Sequence, residues 1–101
     1  MPTQEQLIKK DIKEYISKIG GFWSMIQGGP YSKPGDPDML CCINGLFVGI
    51  EVKTPTGVVS ELQEIRGQEI KDAGGIWFVA RSLEDVKNEF ERRSLVQDGI
   101  R

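Results

Sequence analysis

DMLCCINGLFVGIEVK, residues 38–53, consists of two apolar runs joined by Asn44-Gly45. Asn-Gly between apolar runs marks a two-residue type I′ turn, whose twist matches that of the strands it connects. Such a turn pairs Ile43 with Leu46 and, counting outward, Cys42 with Phe47, Cys41 with Val48, Leu40 with Gly49, Met39 with Ile50 and Asp38 with Glu51. Two carboxylates are therefore expected to face each other at the open end of the hairpin. Their Cβ atoms would lie about 4.5 to 5.5 Å apart, a separation at which like charges destabilise the pair. A divalent cation held by hard oxygen ligands would compensate. Side chains alternate along a strand, so Lys53 shares the face of Glu51 while Val52 turns to the other. Pro37 and Pro55 end the ladder on either side and leave Asp38, Glu51 and Lys53 at the mouth of the sheet.

Working outward, residues 22–27 (FWSMIQ) read as a short strand, and residues 28–37 (GGPYSKPGDP) as a Gly/Pro-rich loop. Upstream, Thr3 and Gln6 have the spacing of a capping box. Ile8, Ile12, Tyr15, Ile16 and Ile19 follow at helical intervals before Gly20-Gly21. On that helix Glu5 falls about 20° from Ile12 and so continues the buried stripe. This placement is unusual for a surface glutamate, although a carboxylate near a helix N-terminus is also favoured by the dipole. Downstream, Ser60 and Gln63 form a second capping box for a helix to about Ala73, ended by Gly74-Gly75. IWFVA (76–80) reads as a buried strand, and residues 82–95 as a last helix N-capped by Ser82. The order helix, strand, hairpin, helix, strand, helix predicts a single α/β domain over residues 1–101 with a mixed central sheet, α-β-β-β-α-β-α.

Composition narrows the chemistry. With 101 residues and 39% apolar content, one core and one site are expected. The sequence contains no histidine, which excludes histidine-ligated zinc fingers, triads with a histidine base and histidine-activated water. Hydrolysis would have to rest on carboxylates, lysine and a metal. Cys41 and Cys42 are adjacent in an apolar run, a poor geometry for a disulfide, and both are expected as reduced core residues. The formal charge of −2 does not announce a nucleic-acid binder. Clustering on one face matters more than the total. Lys9, Lys10, Lys13, Lys18 and Lys33 are the candidates, most of them expected on a solvated helix face. No stretch approaches the roughly 20 continuous apolar residues of a membrane span, and the N-terminus is helical in pattern instead of resembling a signal peptide. The expectation is a cytoplasmic protein, neither secreted nor membrane-bound.

The Asp38, Glu51 and Lys53 patch suits phosphodiester hydrolysis. A metal held by the carboxylates polarises a phosphoryl oxygen and lowers the pKa of a bound water, while a lysine orients that water or neutralises the developing charge. Taken separately, the same residues would read as an exposed ion-pair cluster; the register argues against this. Gly35-Asp36-Pro37-Asp38, followed after a hairpin by Glu51-Val52-Lys53, resembles the Pro-Asp…Glu-x-Lys motif of the PD-(D/E)XK nuclease superfamily. Four further features bring the chain close to the VRR-NUC family, the virus-type replication-repair nucleases. They are Glu5 early in the first helix, a glycine two residues before Pro37, the hairpin between the half-motifs, and Gln63 in the following helix. The likeness spans residues 3 to about 80 and is to the stand-alone phage type, which would place the protein in the cytoplasm of a bacterial host.

The resemblance implies a metal-dependent endodeoxyribonuclease. Asp38, Glu51 and the Val52 backbone carbonyl would ligate Mg²⁺ or Mn²⁺, and Lys53 would position the attacking water. Glu5 would reach the metal directly or through water, and Gln63 would steady the lysine or a phosphate, a role its capping box explains almost as well. Asp36 is read as a loop residue and not a ligand. The basic residue often found ahead of the glycine is displaced here to Lys33, a nucleic-acid contact only if the intervening Pro34 permits it. The substrate class implied is branched DNA, above all the four-way Holliday junction, cut by a homodimer. A sequence-specific interface buries roughly 1,000 to 2,500 Å², more than so small a chain readily offers, so reading of shape and backbone is expected. The alternatives are a restriction-type or nicking nuclease on ordinary duplex or flap DNA, and an inert DNA-binding or partner-binding module. The complete carboxylate and lysine set argues against the last. For the dimer, the aromatic-rich strands around Phe22, Trp23, Trp77 and Phe78 offer apolar surface, core being the expected role for most of it.

Overall fold

Asn44 and Gly45 take φ values of 51° and 78°, the paired positive angles that a type I′ turn requires. They join strands β2 (Met39–Ile43) and β3 (Leu46–Val52). In this computed structural model, which describes residues 1–26 and 32–96, the ladder runs from Ile43 opposite Leu46 to Met39 opposite Ile50, as counted outward from the turn. Strand β1 (Phe22–Met25) lies antiparallel to β2, and β4 (Ile76–Ala80) lies parallel to β3. The sheet is therefore mixed, in the order β1-β2-β3-β4. Helices α1 (Gln4–Lys18), α2 (Glu61–Asp72) and α3 (Leu83–Arg92) complete the expected α-β-β-β-α-β-α order. No described helix is long and apolar enough to cross a membrane.

Alternation assigns each face of the sheet. Met39, Cys41, Ile43, Val48, Ile50, Val52, Phe78 and Ala80 form one cluster with Ile12, Tyr15 and Ile16 of α1 and Val86 and Phe90 of α3. Tyr15 and Phe78 each pack against Phe90, with ring centroids 6.1 and 6.2 Å apart. The opposite face carries Gly49, Glu51 and Trp77, and α2 lies against it so closely that a methyl group on Gly67 would collide with the Trp77 ring. That close approach brings the start of α2 over the end of β3.

Several expectations need correction. Cys41 is buried, and burial pushes its thiol up to about 12, but Cys42 is exposed. Its face at that point lies on the β1 side of the sheet, where its cross-strand neighbours Phe22 and Phe47 are themselves 67% and 48% exposed. Phe22 is thus a surface residue and not part of the core. IWFVA is only half buried, because β4 is an edge strand: Phe78 and Ala80 point into the core while Ile76, Trp77 and Val79 remain partly exposed. The last helix stops at Arg92, short of 95. There Ser94 adopts φ 59°, and the Ser94 and Leu95 N–H groups donate back to Glu91 and Phe90. This is a Schellman closure without its usual glycine. The strand expected over 22–27 ends at Met25, although the Ile26 N–H still donates to the Asp38 carbonyl at 3.1 Å. Gln27 and the 28–31 part of the loop lie outside the described residues, as do 97–101.

Candidate active site

At the open end of the hairpin, Asp38 takes over from the backbone ladder. Its carboxylate oxygen Oδ2 accepts the Val52 N–H at 2.8 Å, so a side chain closes the next rung beyond the Met39–Ile50 pair. Asp38 is 5% exposed and Glu51 1%. Glu51 Oε1 accepts from Gln63 Nε2 at 2.9 Å, and the Lys53 ammonium stands 3.8 Å from the same oxygen. Glu51 Oε2 is buried and receives no hydrogen bond. Burial, then a hydrogen-bonding contact with Asp38 and the Asp38 charge, push the Glu51 carboxyl up to about 8, against a weaker pull from Lys53 and Lys9. The two acidic groups thus lie near enough for each to raise the cost of ionising the other. That repulsion is relieved either by a proton held between them or by a cation.

The residues present fit a hard divalent cation. The unpartnered Glu51 Oε2 offers an oxygen, and Asp38 offers Oδ1, whose near neighbour is an ammonium. Among the described residues no group of three or more histidine, cysteine, aspartate or glutamate side chains could hold a metal. The carboxylate ligands would therefore be Asp38 and Glu51 alone, leaving the other coordination positions to backbone carbonyl or water, as hard cations permit.

Glu5 stands back from this pair. Its side chain is 40% exposed, and its carboxylate accepts a hydrogen bond from Lys9 at 3.1 Å. Lys9 in turn reaches Asp38 Oδ1 at 3.5 Å, its side chain only 17% exposed. Burial pulls the Lys9 pKa down, but the hydrogen bond to Glu5 and the charges of Asp38 and Glu5 outweigh it, and the ammonium is held more firmly than usual.

Gln63 is positioned by its own helix cap. Its Oε1 accepts the Ser60 N–H at 2.8 Å, and its backbone N–H donates to Ser60 Oγ at 3.1 Å. With the amide oxygen committed to the cap, the amide nitrogen is the end that reaches Glu51. The cap and the contact with the carboxylate use opposite ends of one side chain.

The approach to Asp38 is a turn from Lys33 to Asp36. The Asp36 N–H donates to the Lys33 carbonyl at 3.0 Å, and Asp36 Oδ2 accepts the Lys33 N–H at 2.8 Å. Gly35 sits there at φ 86°, and a Cβ would come within 2.7 Å of Leu62 Cγ and 2.8 Å of the Leu62 carbonyl. Glycine is needed for both the angle and the fit. Asp36 is engaged in this turn and stands 3.8 Å from Arg66 Nε, while Lys33 is exposed. On the far side of the motif, the Lys53 N–H donates to the Ala80 carbonyl. Arg81 Nη1 donates to the carbonyls of Thr54 and Gly57, both at 2.7 Å. The segment between Lys53 and α2 is thereby fixed to the end of β4.

Two residues of this arrangement, Lys9 and Arg81, escaped the reading from sequence. From sequence Lys9 reads as one of the basic residues of a solvated face, and its i,i+4 spacing from Glu5 is the signal that points elsewhere. Nothing local marked Arg81. Its place follows from the parallel pairing of Val52 with Ala80.

No family model matches the sequence, and no curated protein does. Among solved structures, one described as "VRR_NUC domain" superposes with a TM-score of 0.77 at 24% sequence identity, covering 89% of this chain and 97% of that chain. The fold is that of a VRR_NUC domain.

Proposed function

We propose that this protein is a metal-dependent DNA endonuclease of the VRR-NUC type, selective for branched DNA, and that as a homodimer it resolves four-way Holliday junctions. The observation that carries the proposal is the buried Glu51 Oε2, unpartnered beside the Asp38 carboxylate, with Lys53 3.8 Å from the other oxygen. Likeness of fold to a VRR_NUC domain supports it.

In this reading Asp38, Glu51 and the Val52 carbonyl hold Mg²⁺ or Mn²⁺, and Glu5 takes part through water. When bound, the cation supplies Lewis-acid polarisation of the scissile phosphate and makes water easier to deprotonate. Lys53 orients the attacking water and offsets negative charge as the phosphorus becomes five-coordinate. Gln63 keeps Glu51 in place, and Lys33 meets a neighbouring phosphate. A dimer follows from the substrate: resolution needs two nicks related by the two-fold symmetry of the junction, and a symmetric pair of chains supplies two sites so related.

The test is cleavage of an end-labelled four-way junction beside matched duplex and flap substrates, with Mg²⁺, with Mn²⁺ and with chelator. Paired symmetric nicks that need metal, and that vanish in Asp38→Ala and Glu51→Ala, are the expected result. Lys53→Ala should lower the rate far more than DNA affinity. Sedimentation should report twice the 11.3 kDa chain mass. Cutting of duplex or flap alone by a monomer would replace this reading with a nicking nuclease, and absence of cleavage with all three substrates would leave a DNA-binding module.

A further inference from the structure

Asp38 has two carboxylate oxygens, and the backbone occupies one of them through the Val52 N–H. The other, Oδ1, is the oxygen left for a cation, and it faces the Lys9 ammonium at 3.5 Å. The same ammonium holds Glu5 at 3.1 Å, and with 17% of its side chain exposed it is largely withdrawn from solvent. A lysine packed in this way against Glu5 and Asp38 gives the acidic group a positive charge of its own. Its single charge cannot relieve the whole cluster, since Glu51 Oε2 still receives no hydrogen bond.

We propose that Lys9 is a resident counter-cation of the metal site, positioning Glu5 and Asp38 in the metal-free protein and competing with the metal for Asp38 Oδ1. The inference rests on the metal-dependent reading above. Two consequences follow, of opposite sign. Without metal, Lys9 stabilises the fold, because removing it leaves a cluster of carboxylates with less to offset their repulsion. Toward metal, Lys9 is an opponent, because a divalent ion binding at Oδ1 meets an ammonium of like charge. The protein thereby stays folded before it is loaded, and the affinity of its site is held down. Lys9 acts here through Asp38 and Glu5 and is a positioning residue.

The deciding experiment measures Mn²⁺ binding to the DNA-free protein by electron paramagnetic resonance of the free ion. It compares the native chain with Lys9→Met, Lys9→Gln, Lys9→Arg and Asp38→Asn, with folding checked by circular dichroism. Lys9→Met and Lys9→Gln should each bind Mn²⁺ about tenfold more tightly, the scale of the repulsion between a divalent ion and an ammonium roughly 6 Å apart at the dielectric of water. Lys9→Arg, which keeps the charge, should stay within about twofold of the native chain on the same argument. In chelator, the melting temperatures of Lys9→Met and Lys9→Gln should fall below the native value, and Mn²⁺ should raise them by more than it raises the native one. Using both uncharged variants keeps the test open if one of them fails to fold. Equal or weaker Mn²⁺ affinity in the uncharged variants, with native binding intact and abolished by Asp38→Asn, would overturn the role of Lys9 alone. No Mn²⁺ binding by any of these chains would overturn the metal-site reading and this inference with it.

Discussion

Helices α1 and α2 begin with the same device. Thr3 and Gln6 on α1, and Ser60 and Gln63 on α2, form capping boxes whose paired hydrogen bonds measure 2.8 and 3.1 Å in both. Each glutamine amide oxygen is committed to its helix. Gln6 stays exposed at the start of α1; Gln63 extends its amide nitrogen to a buried glutamate. The difference lies in what the sheet places beside each helix start. The type I′ turn and its register carry Glu51 to the end of β3, and Gly67 lets α2 settle onto Trp77 with its first turn over that end. An identical local motif thus serves only its helix in one place and also donates to a buried carboxylate in the other.

The substitution that breaks the comparison most sharply is glutamine to glutamate in each box, since glutamate caps as well as glutamine does. Gln63→Glu sets a carboxylate where an N–H donor now meets Glu51. On the proposed function, junction cleavage should drop about a hundredfold, the scale of removing one preorganised donor. Gln6→Glu should leave cleavage unchanged and stability within about 0.5 kcal/mol. Parallel kinetics and melting curves of the two variants provide the check, and equal activities would reduce Gln63 to a cap.

Removing the carboxylate that Gln63 serves should make the two boxes alike, and the effect is visible in stability against pH. Glu51 has its carboxyl raised from 4.5 to about 8 in the folded chain. Between those values the folded state keeps a proton that the unfolded state has released. Stability of the metal-free protein should therefore fall as pH rises from 4.5 through about 8. Glu51→Gln should flatten that decline. Urea titrations in chelator across this pH range test it, and an unchanged slope would place the decline elsewhere. The smallest effect concerns the caps. Thr3→Ala and Ser60→Ala should each cost about 1 kcal/mol, but only Ser60→Ala, which frees the Gln63 amide to rotate, should also slow cleavage several-fold.

Legibility from sequence followed the range of the interactions involved. The turn at Asn44-Gly45 is a local preference, and once it is set the period-two geometry of strands carries it to Asp38 and Glu51 without further information. Both capping boxes were readable for the same reason. Cys42 was misjudged because a run of apolar residues does not say which face of the strand a helix will cover. The end of α3 was misjudged because Ser94 takes a backbone angle that its side chain does not advertise. Lys9 was hidden by its company of surface lysines: its i,i+4 spacing from Glu5 is legible but is matched by that of Lys10 with Glu14, and the packing of α1 against the sheet is what separates it from Lys10, whose side chain is 70% exposed.

The bond between Asp38 and the Val52 N–H has a spectroscopic consequence. A backbone amide in the middle of a sheet reports on the sheet, but this one reports on a carboxylate. Whatever draws on Asp38 changes the electron density at Oδ2 and hence the resonance of the Val52 amide proton. Its chemical shift and exchange rate form a built-in gauge of the site, readable by nuclear magnetic resonance without substrate, dye or turnover, in a residue whose own side chain lies wholly in the core.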